Sequence, residues 1–278
     1  MSLKITTLIE NTPSQNPALS NEHGLSLYIE TEDIKILFDT GQSGAFIGNA
    51  EILQKDLTTL DYMIISHGHF DHSGGVHKVL DILGKQTNMI VGSEFFVKKY
   101  KDMQDGTYFF AGNSNTEESI AAKDIKLTKL AAEMIYLTDH VVLFHHFPYH
   151  SSFEHPNPYF VVEEKEGYTL DLFSDEIALG IITEKGLVVI VGCSHAGIVN
   201  ILSEIEKKMN MHIHAVIGGT HLVDADEDRI QKTMEYFDEK KIEVVAVSHC
   251  TGEKACALLS EHYGKKFIVN NTGNVMEF

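Results

Sequence analysis

Positive charge is scarce in this chain of 278 residues. Only 22 lysine and arginine residues stand against 40 aspartate and glutamate residues, and the formal net charge at pH 7 is −18. Nucleic acids and anionic membranes bind proteins through basic patches, so neither is expected to be the main partner. A small anionic substrate is compatible with this composition, because bound cations can dominate the electrostatic field inside a pocket.

Long apolar runs and paired cysteines are lacking as well. No stretch of 18 or more apolar residues is present, and the first residues, Met1 to Lys4, show nothing like the apolar core of a signal peptide. The three cysteines, Cys193, Cys250 and Cys256, form neither a CxxC pair nor an even set, so no disulfide framework is expected. Cys193 and Cys250 lie beside candidate metal ligands, and we interpret them as small buried side chains, with a metal-supporting or redox-sensitive thiol as the alternative. We therefore expect a cytoplasmic protein that does not bind membranes.

One short segment concentrates potential metal ligands. Residues 66–75 read SHGHFDHSGG, which places three histidines and one aspartate within six positions after an apolar run. Imidazole is a common ligand of zinc, iron and manganese, and a neighbouring carboxylate adds negative charge and a hard oxygen. We expect His67 and His69 to face one ion. Asp71 and His72 are expected to turn toward a second, so the spacing favours two metals.

Groups able to bind or position a metal follow five apolar, strand-like runs. In α/β proteins, ligands are expected beyond the carboxyl ends of strands. Glycines in the loops that follow allow tight turns and close backbone approach. We therefore expect one rim of a sheet to surround one site. The residues that follow these runs are Asp39, His67, His195, His221 and His249.

These motifs resemble the metallo-β-lactamase superfamily. The HxHxDH motif at residues 67–72 carries the resemblance, together with Asp39 upstream and His195 and His249 downstream. Four further segments resemble the group in that superfamily named after dihydropterin-ribofuranosyl-aminobenzene phosphate synthase, an enzyme of methanopterin assembly. They are EHGLSL at residues 22–27, LFDTGQ at 37–42, GCSHAGI at 192–198 and SHCTG at 248–252.

The order of strand-like and helix-like segments predicts an α/β fold. An alternating segment at residues 26–29 predicts a half-buried strand, and apolar positions at helical spacing predict helices over 75–83 and 198–209. Two more helices are expected over 228–240 and 253–263. The resemblance implies a four-layer αββα sandwich with the metal site at one edge of its two sheets.

We expect a single domain over residues 1–278, with one insertion at about residues 100–165. That segment is polar and rich in turns, and it carries a cluster of histidines and aromatic residues between the metal motifs. Loops on a rigid scaffold carry specificity, so we interpret the segment as a lid or substrate wall. Tyr149 and His150 are its candidate substrate-binding residues. The alternative interpretation is a solvated connection.

The resemblance leaves one ligand position open, because two alignments of the motifs compete. A typical member of the superfamily has a histidine before a strand pair and, after it, a carboxylate that bridges two metals. In the first alignment His195 is that histidine, and nothing supplies the bridge. In the second, Asp175 and Glu176 precede a strand pair that turns at residues 184–186, and His195 takes the place of the bridging carboxylate. The order of strands favours the second alignment, in which the second ion is weakly bound, absent or of another kind, because histidine bridges metals poorly.

Three other residues have candidate roles near the metals. His221 follows a buried strand that aims it at the same rim, and we expect it to line the substrate pocket. His23 is a similar candidate. Asp39 is expected to accept the free N–H of a metal-bound imidazole and to fix its tautomer.

The resemblance and the ligand types predict a metal-dependent hydrolase. We expect one or two divalent transition metal ions, zinc first and manganese or iron as alternatives, to activate water for attack on a small phosphorylated or cyclic substrate. Asp71 is the candidate catalytic residue, which orients the hydroxide and moves its proton. The expected ligands are His67, His69, Asp71, His72, His195 and His249.

Two other functions remain open. The group name implies a transferase that joins a pterin to a ribosyl-aminobenzene phosphate, with metals that activate a different leaving group. A metal-dependent binding or redox protein without turnover is the third hypothesis, although the sequence offers no flavin domain for electron transfer. No Ser-His-Asp triad or P-loop competes with the metal-based hypotheses. The sequence makes no prediction about the oligomeric state.

Overall fold

A computed structural model describes residues 2–278 of the chain. The chain divides into two compact units, each assembled from separate stretches of sequence. The first unit comprises residues 2–131, 156–175 and 271–278, and the second comprises residues 132–155 and 176–270. Each unit combines sheet and helix, so the expected α/β class is confirmed.

Residues 2–278 form strands and helices, and the seven strands within residues 126–191 follow one another without a helix between them. The strands are β1 (Lys4–Ile9), β2 (Ser26–Glu30), β3 (Lys35–Phe38), β4 (Tyr62–Ile64), β5 (Asn88–Gly92), β6 (Lys99–Asp102), β7 (Tyr108–Phe110), β8 (Lys126–Leu130), β9 (Met134–Tyr136), β10 (Val141–His145), β11 (Phe160–Glu164), β12 (Gly167–Leu170), β13 (Ile177–Thr183), β14 (Gly186–Val191), β15 (Ile213–Gly219), β16 (Val244–Ser248) and β17 (Val275–Glu277). The α-helices are α1 (Phe46–Ile52), α2 (Phe70–Ser73), α3 (Val76–Val79), α4 (Glu117–Ala121), α5 (Ile198–Met209), α6 (Glu227–Glu239) and α7 (Glu253–Tyr263). Short 3-10 helices cover Leu57–Thr59, His249–Thr251 and Gly264–Lys266.

The first unit contains two sheets. The larger has seven strands in the order β17-β1-β2-β3-β4-β5-β8, and the smaller has four in the order β12-β11-β6-β7. Strands β3, β4, β5 and β8 run parallel to one another. Their carboxyl ends therefore lie at one edge of the larger sheet. Asp39 directly follows β3, and the histidine-rich loop follows β4, so neighbouring strands bring the two together.

The second unit contains one sheet of six strands in the order β16-β15-β14-β13-β10-β9. Strands β14, β15 and β16 are parallel neighbours. They are nearly continuous apolar runs, the pattern expected of parallel strands buried on both faces. Their carboxyl ends again lie at one edge, and the loops after them carry His195, His221 and His249.

The helices of the second unit largely follow the predictions. Helix α5 has the predicted bounds, because its apolar stripe, which includes Ile198, Ile201 and Ile205, is buried in the core of this unit. It ends at Asn210, which adopts the left-handed conformation that asparagine tolerates at a helix end. Helix α7 also has the predicted bounds, and α6 begins and ends one residue earlier than expected.

Two local predictions are wrong. The helix expected over residues 75–83 is confined to α3, with α2 before it and turns after it. The apolar side chains that suggested it are buried, so their spacing reports burial rather than a continuous helix. Strand β2 is buried on both faces rather than half-buried, and it is an inner strand that pairs with β1 and β3.

Residues 100–165 do not form one separate structure. They supply β8 to the seven-stranded sheet, β9 and β10 to the six-stranded sheet, and β7 and β11 to the four-stranded sheet. The single domain and the lid stay predictions. A substrate wall formed by residues 100–165 would involve only parts of that segment. Within residues 2–278, no helix combines the length and the hydropathy that crossing a membrane requires.

Candidate metal centre

Three histidines and one aspartate crowd the loop that follows β4 in the first unit. His67, His69 and His72 are buried, and Asp71 is 7% exposed. The ring centroids of His67 and His69 are 4.7 Å apart, and those of His67 and His72 are 4.4 Å apart. Buried imidazoles at this spacing, with a carboxylate beside them, fit the nitrogen and oxygen donor set of a transition metal.

Burial determines the protonation of two of these imidazoles. It lowers the pKa of His67 well below the ordinary value, and the neighbouring His72 and His69 lower it further. Burial also lowers the pKa of His69 to about 3. Both rings are therefore neutral at pH 7, the form whose lone pair binds a metal.

His72 differs because two carboxylates face it. Burial lowers its pKa, but Asp39 and Asp71 raise it by more, and the net shift is upward. Asp39 Oδ2 accepts a hydrogen bond from His72 Nδ1 over 2.6 Å. Because Nδ1 is engaged in this way, Nε2 is the nitrogen that a metal-bound His72 would use.

Asp39 also fixes the start of the histidine loop. Its Oδ1 accepts from the backbone N–H of Ser66 over 2.7 Å, and its Oδ2 accepts from the Ser66 hydroxyl over 2.8 Å. The Ser66 oxygen lies 2.9 Å from Nδ1 of His67. One buried carboxylate thus orients two imidazoles, directly at His72 and through Ser66 at His67.

Asp39→Asn is expected to weaken metal retention by about 10- to 100-fold, the range typical for loss of a group that orients a metal ligand. The asparagine amide nitrogen cannot accept the His72 N–H. Metal content after dialysis against a graded chelator measures the effect. Asp61→Asn, at the amino end of β4 where Asp61 accepts from the Lys35 N–H, is the matched control. Equal retention in the parent and both variants would rule out this role of Asp39.

Asp71 lies in the first turn of α2 and contacts His23. His23 Nε2 is 3.1 Å from Asp71 Oδ2, and this hydrogen bond raises the pKa of His23. Asp71 Oδ2 is also 3.8 Å from Nε2 of His72. The side chain of His23 is 55% exposed, so His23 links the buried Asp71 to the protein surface.

A buried ion cluster supports the loop at Gly68, between the first two histidines. Lys99 Nζ lies 2.7 Å from Asp171 Oδ2 and 3.0 Å from Asp175 Oδ1. Asp175 Oδ2 accepts from the Gly68 N–H over 2.7 Å. A side chain at residue 68 would meet the Phe95 carbonyl at 2.7 Å, so only glycine allows this approach. Asp175 is therefore engaged with the loop backbone and with Lys99.

Aromatic rings surround the histidine loop. Phe160 and Phe173 lie 5.1 and 5.4 Å from His69 between ring centroids. Phe109, on β7, lies 6.1 Å from Phe70 and is 52% exposed. Part of the 100–165 segment therefore lies against the histidine loop.

In the second unit, the parallel strands bring His195 and His221 together. The ring centroids of these residues are 4.3 Å apart, and both side chains are buried. His221 adopts the left-handed conformation at φ 47°, which turns the chain sharply after β15. Burial, with a further contribution from Arg229, lowers the pKa of His221 to about 4. His221 is therefore neutral at pH 7.

Sulfur atoms connect the loops after β14, β15 and β16. Cys250 Sγ donates to the Cys193 carbonyl and accepts from the His221 N–H, each over 3.3 Å. A side chain at Gly219 would meet Cys250 Sγ at 2.4 Å. His249 follows β16 in a short 3-10 helix and is buried. The three cysteines form no disulfide, and Cys250 Sγ links the loops. Cys193 is buried as predicted, but Cys250 is only partly buried, so its expected burial is wrong.

Glu176 holds the loop that carries His195. Its carboxylate is buried and accepts from the backbone N–H groups of His195 and Ala196, each over 2.8 Å. Both oxygens of Glu176 therefore act on the backbone of this loop.

Tyr149 and His150 lie against α5. His150 Nε2 is 2.6 Å from the Ser203 hydroxyl, and its backbone N–H donates to Asn200 Oδ1 over 3.1 Å. Tyr149 packs against the apolar core of the second unit. Both residues thus attach their segment to α5.

Lys99 and Glu154 support these loops but were not predicted from sequence. Glu154 is fully buried and accepts from the N–H groups of Val199 and Asn200 in the first turn of α5. Burial raises the pKa of Glu154, while these two hydrogen bonds lower it. An acidic residue near the start of a helix is stabilising, but Glu154 is 45 residues away from Val199 in sequence, so no local pattern pointed to it.

Comparison with known proteins identifies the family of this chain. The family model of the metallo-β-lactamase superfamily matches residues 20–154. A protein of Methanocaldococcus jannaschii named 7,8-dihydropterin-6-methyl-4-(β-D-ribofuranosyl)-aminobenzene-5'-phosphate synthase is 30% identical over 99% of this chain and 97% of its own length. The chain therefore belongs to the metallo-β-lactamase superfamily, and the resemblance of its motifs is confirmed.

Solved structures support the same assignment. Tm1679, described as a metal-dependent hydrolase of the β-lactamase superfamily, superposes with a TM-score of 0.86 at 31% identity, covering 99% of each chain. The metallo-β-lactamase fold protein YhfI of Bacillus subtilis covers the full length of both chains with a TM-score of 0.59 at 13% identity, a likeness of fold alone. Membership of the superfamily implies divalent metal ions.

Proposed function

We propose that this protein is a metal-dependent hydrolase that acts on a small-molecule substrate. The observation that carries the proposal is the buried HxHxDH loop, in which His67 and His69 are neutral, Asp71 lies beside them, and Asp39 holds His72. This donor set fits a transition metal. A relative with 31% identity over 99% of each chain is described as a metal-dependent hydrolase, which supports the same reaction class.

One or two ions are held in this proposal by protein nitrogen and oxygen donors. Zinc is the first candidate, and manganese and iron are the alternatives. Asp175 and Glu176 act on loop backbones, since their carboxylates accept from Gly68, His195 and Ala196. They therefore support ligands rather than binding metal. The proposed ligands are His67, His69, Asp71, His72, His195 and His249.

Proton transfer is assigned to Asp71. A bound divalent ion would lower the pKa of water toward neutrality and polarise the electrophile of the substrate. Asp71 orients the attacking water, accepts its proton and returns that proton to the leaving group. His23 connects Asp71 to solvent over the 3.1 Å contact, so it can exchange the proton between catalytic cycles.

Substrate binding is assigned first to His221. His221 is neutral at pH 7 and can donate one hydrogen bond and accept another. His23, Tyr149 and His150 are further candidates, with His150 held in place by Ser203. We infer a small phosphorylated or cyclic substrate processed in the cytoplasm, without a nucleic acid or a membrane as partner.

A transferase is the second candidate function. It is favoured by the relative from Methanocaldococcus jannaschii, which is named as a synthase and matches over 99% of this chain. In that reaction the same ions would activate a different leaving group, and a second organic substrate would replace water. The two functions differ in one requirement, because a hydrolase forms product from one substrate and water alone.

The protein purified without added metal is expected to hold at least one equivalent of zinc, manganese or iron. Removal of the metal by a chelator should abolish turnover, and the same ion should restore it. Elemental analysis gives the metal content, and a screen of phosphodiesters, thioesters and lactones gives the reaction. Absence of transition metal before and after reconstitution would exclude the proposal. Turnover only in the presence of a second organic substrate would favour the transferase.

A further inference from the structure

We propose that His212, His214 and Glu243 form a second site for a divalent transition metal ion of the zinc class, remote from the candidate metal centre. All three residues belong to the second unit. One potential ligand atom from each lies within 4.8 Å of those of the other two. Two imidazoles and one carboxylate are a known zinc ligand set that leaves further coordination positions for water.

The parallel pairing of β15 and β16 creates this group. His212 immediately precedes β15 and His214 is its second residue, at a point where the pairing of β15 with β14 shifts register. Glu243 immediately precedes β16, and its N–H donates to the His214 carbonyl over 3.0 Å. His214 Nδ1 is 3.7 Å from Glu243 Oε2. The ladder thus places the carboxylate beside the pair of imidazoles.

The adjacent strand fixes the backbone of His212. The backbone N–H of Leu187, on β14, donates to the His212 carbonyl over 2.8 Å, which anchors that residue. A side chain at Gly186 would meet the same carbonyl at 2.6 Å and His212 Cδ2 at 3.3 Å. Gly186 has φ 127°, a conformation that glycine adopts readily. The glycine therefore allows β14 to approach His212 closely.

The group is partly open to solvent, and one acidic and one basic side chain lie at it. His214 is buried, while His212 and Glu243 are exposed, so an ion can reach the site from solvent. Glu243 supplies negative charge, and Lys185 is the nearby cation that opposes binding.

The site is separate from the candidate metal centre along the same strands. His214 is near the amino end of β15, and His221 follows its carboxyl end. At about 3.3 Å per residue, roughly 20 Å of strand separates them. An ion bound by His212, His214 and Glu243 would connect the beginnings of β15 and β16, and would stabilise the folded state through linkage.

Zinc titration of untagged, metal-reconstituted protein tests the site. The parent should bind one more equivalent of zinc than His212→Ala or Glu243→Gln. Each variant should bind zinc at this site at least about tenfold more weakly than the parent. Calorimetry and equilibrium dialysis give the stoichiometry. The metal retained at the candidate centre and the turnover should be unchanged, since both residues are exposed and remote from it.

His262→Ala is the matched control. His262 is an exposed histidine that pairs with the carboxylate of Asp238 over 2.7 Å, which provides two potential ligands rather than three. This variant should keep every equivalent that the parent binds. The proposal would be overturned if His212→Ala and Glu243→Gln bound as many equivalents of zinc as the parent. It would also be overturned if His262→Ala lost as much zinc as these two variants. Thermal unfolding without metal verifies that each variant is folded, and added zinc should raise the Tm of the parent more than that of either site variant.

Discussion

Asp71→Asn is expected to lower turnover by about 100-fold or more, the loss typical when a proton-handling group is removed. Asparagine has nearly the shape of aspartate but cannot accept the proton of the attacking water. His67 and His69 are unchanged by the substitution, so at least one metal should remain bound. Activity on each substrate found active for the parent, together with metal content, measures the effect.

Asp81→Asn is the control for this experiment. Asp81 is an exposed carboxylate of the same unit that pairs with Lys123, and its loss should leave turnover and metal content unchanged. A variant at Asp71 that hydrolyses every active substrate at the parent rate would contradict the hydrolase mechanism. If the Asp71 variant instead lost all of its metal, Asp71 would be needed first as a metal ligand. Activity after reconstitution with metal would then separate this ligand role from the role in proton transfer.

Lys99→Met is expected to lower the free energy of unfolding by about 3–5 kcal/mol, the cost typical of breaking a buried ion pair by removing one partner. Lys99 is 2% exposed, and its ammonium lies between Asp171 and Asp175. Burial lowers its pKa, but the two carboxylates raise it by more, so it is charged. Methionine fills a similar volume but leaves two buried carboxylates without their cation. Urea unfolding at pH 7 measures the loss.

The neighbouring Lys98 provides a matched control. Its ammonium pairs with Glu163 at the surface, where ion pairs contribute little, so Lys98→Met should be nearly neutral. The double variant Lys99→Met, Asp171→Asn should recover part of the stability, because one of the stranded charges is removed. Similar unfolding free energies for the Lys98 and Lys99 variants would show that the buried cluster does not support the fold.

Local patterns predicted several elements because their causes lie close together in sequence. The apolar stripe of α5 and its Asn210 end are contained within 13 residues, residues 198–210, and the predicted bounds agree with the structure. The HxHxDH motif lies within six residues after an apolar strand, which is why it identified the superfamily. Short apolar runs were poorer predictors of helix length. The apolar residues after Gly75 are buried, but their burial did not require a continuous helix.

The sequence by itself determined the superfamily and the α/β class, and it supplied the candidate metal ligands, because glycine-rich loops after apolar strands are local signals. Only the tertiary structure decided what holds those residues. Asp39 reaches His72 across 33 residues, and Asp175 reaches Gly68 across 107. Such contacts depend on which strands become neighbours in a sheet. That choice follows from burial of whole strands and helices, which no short stretch of sequence contains.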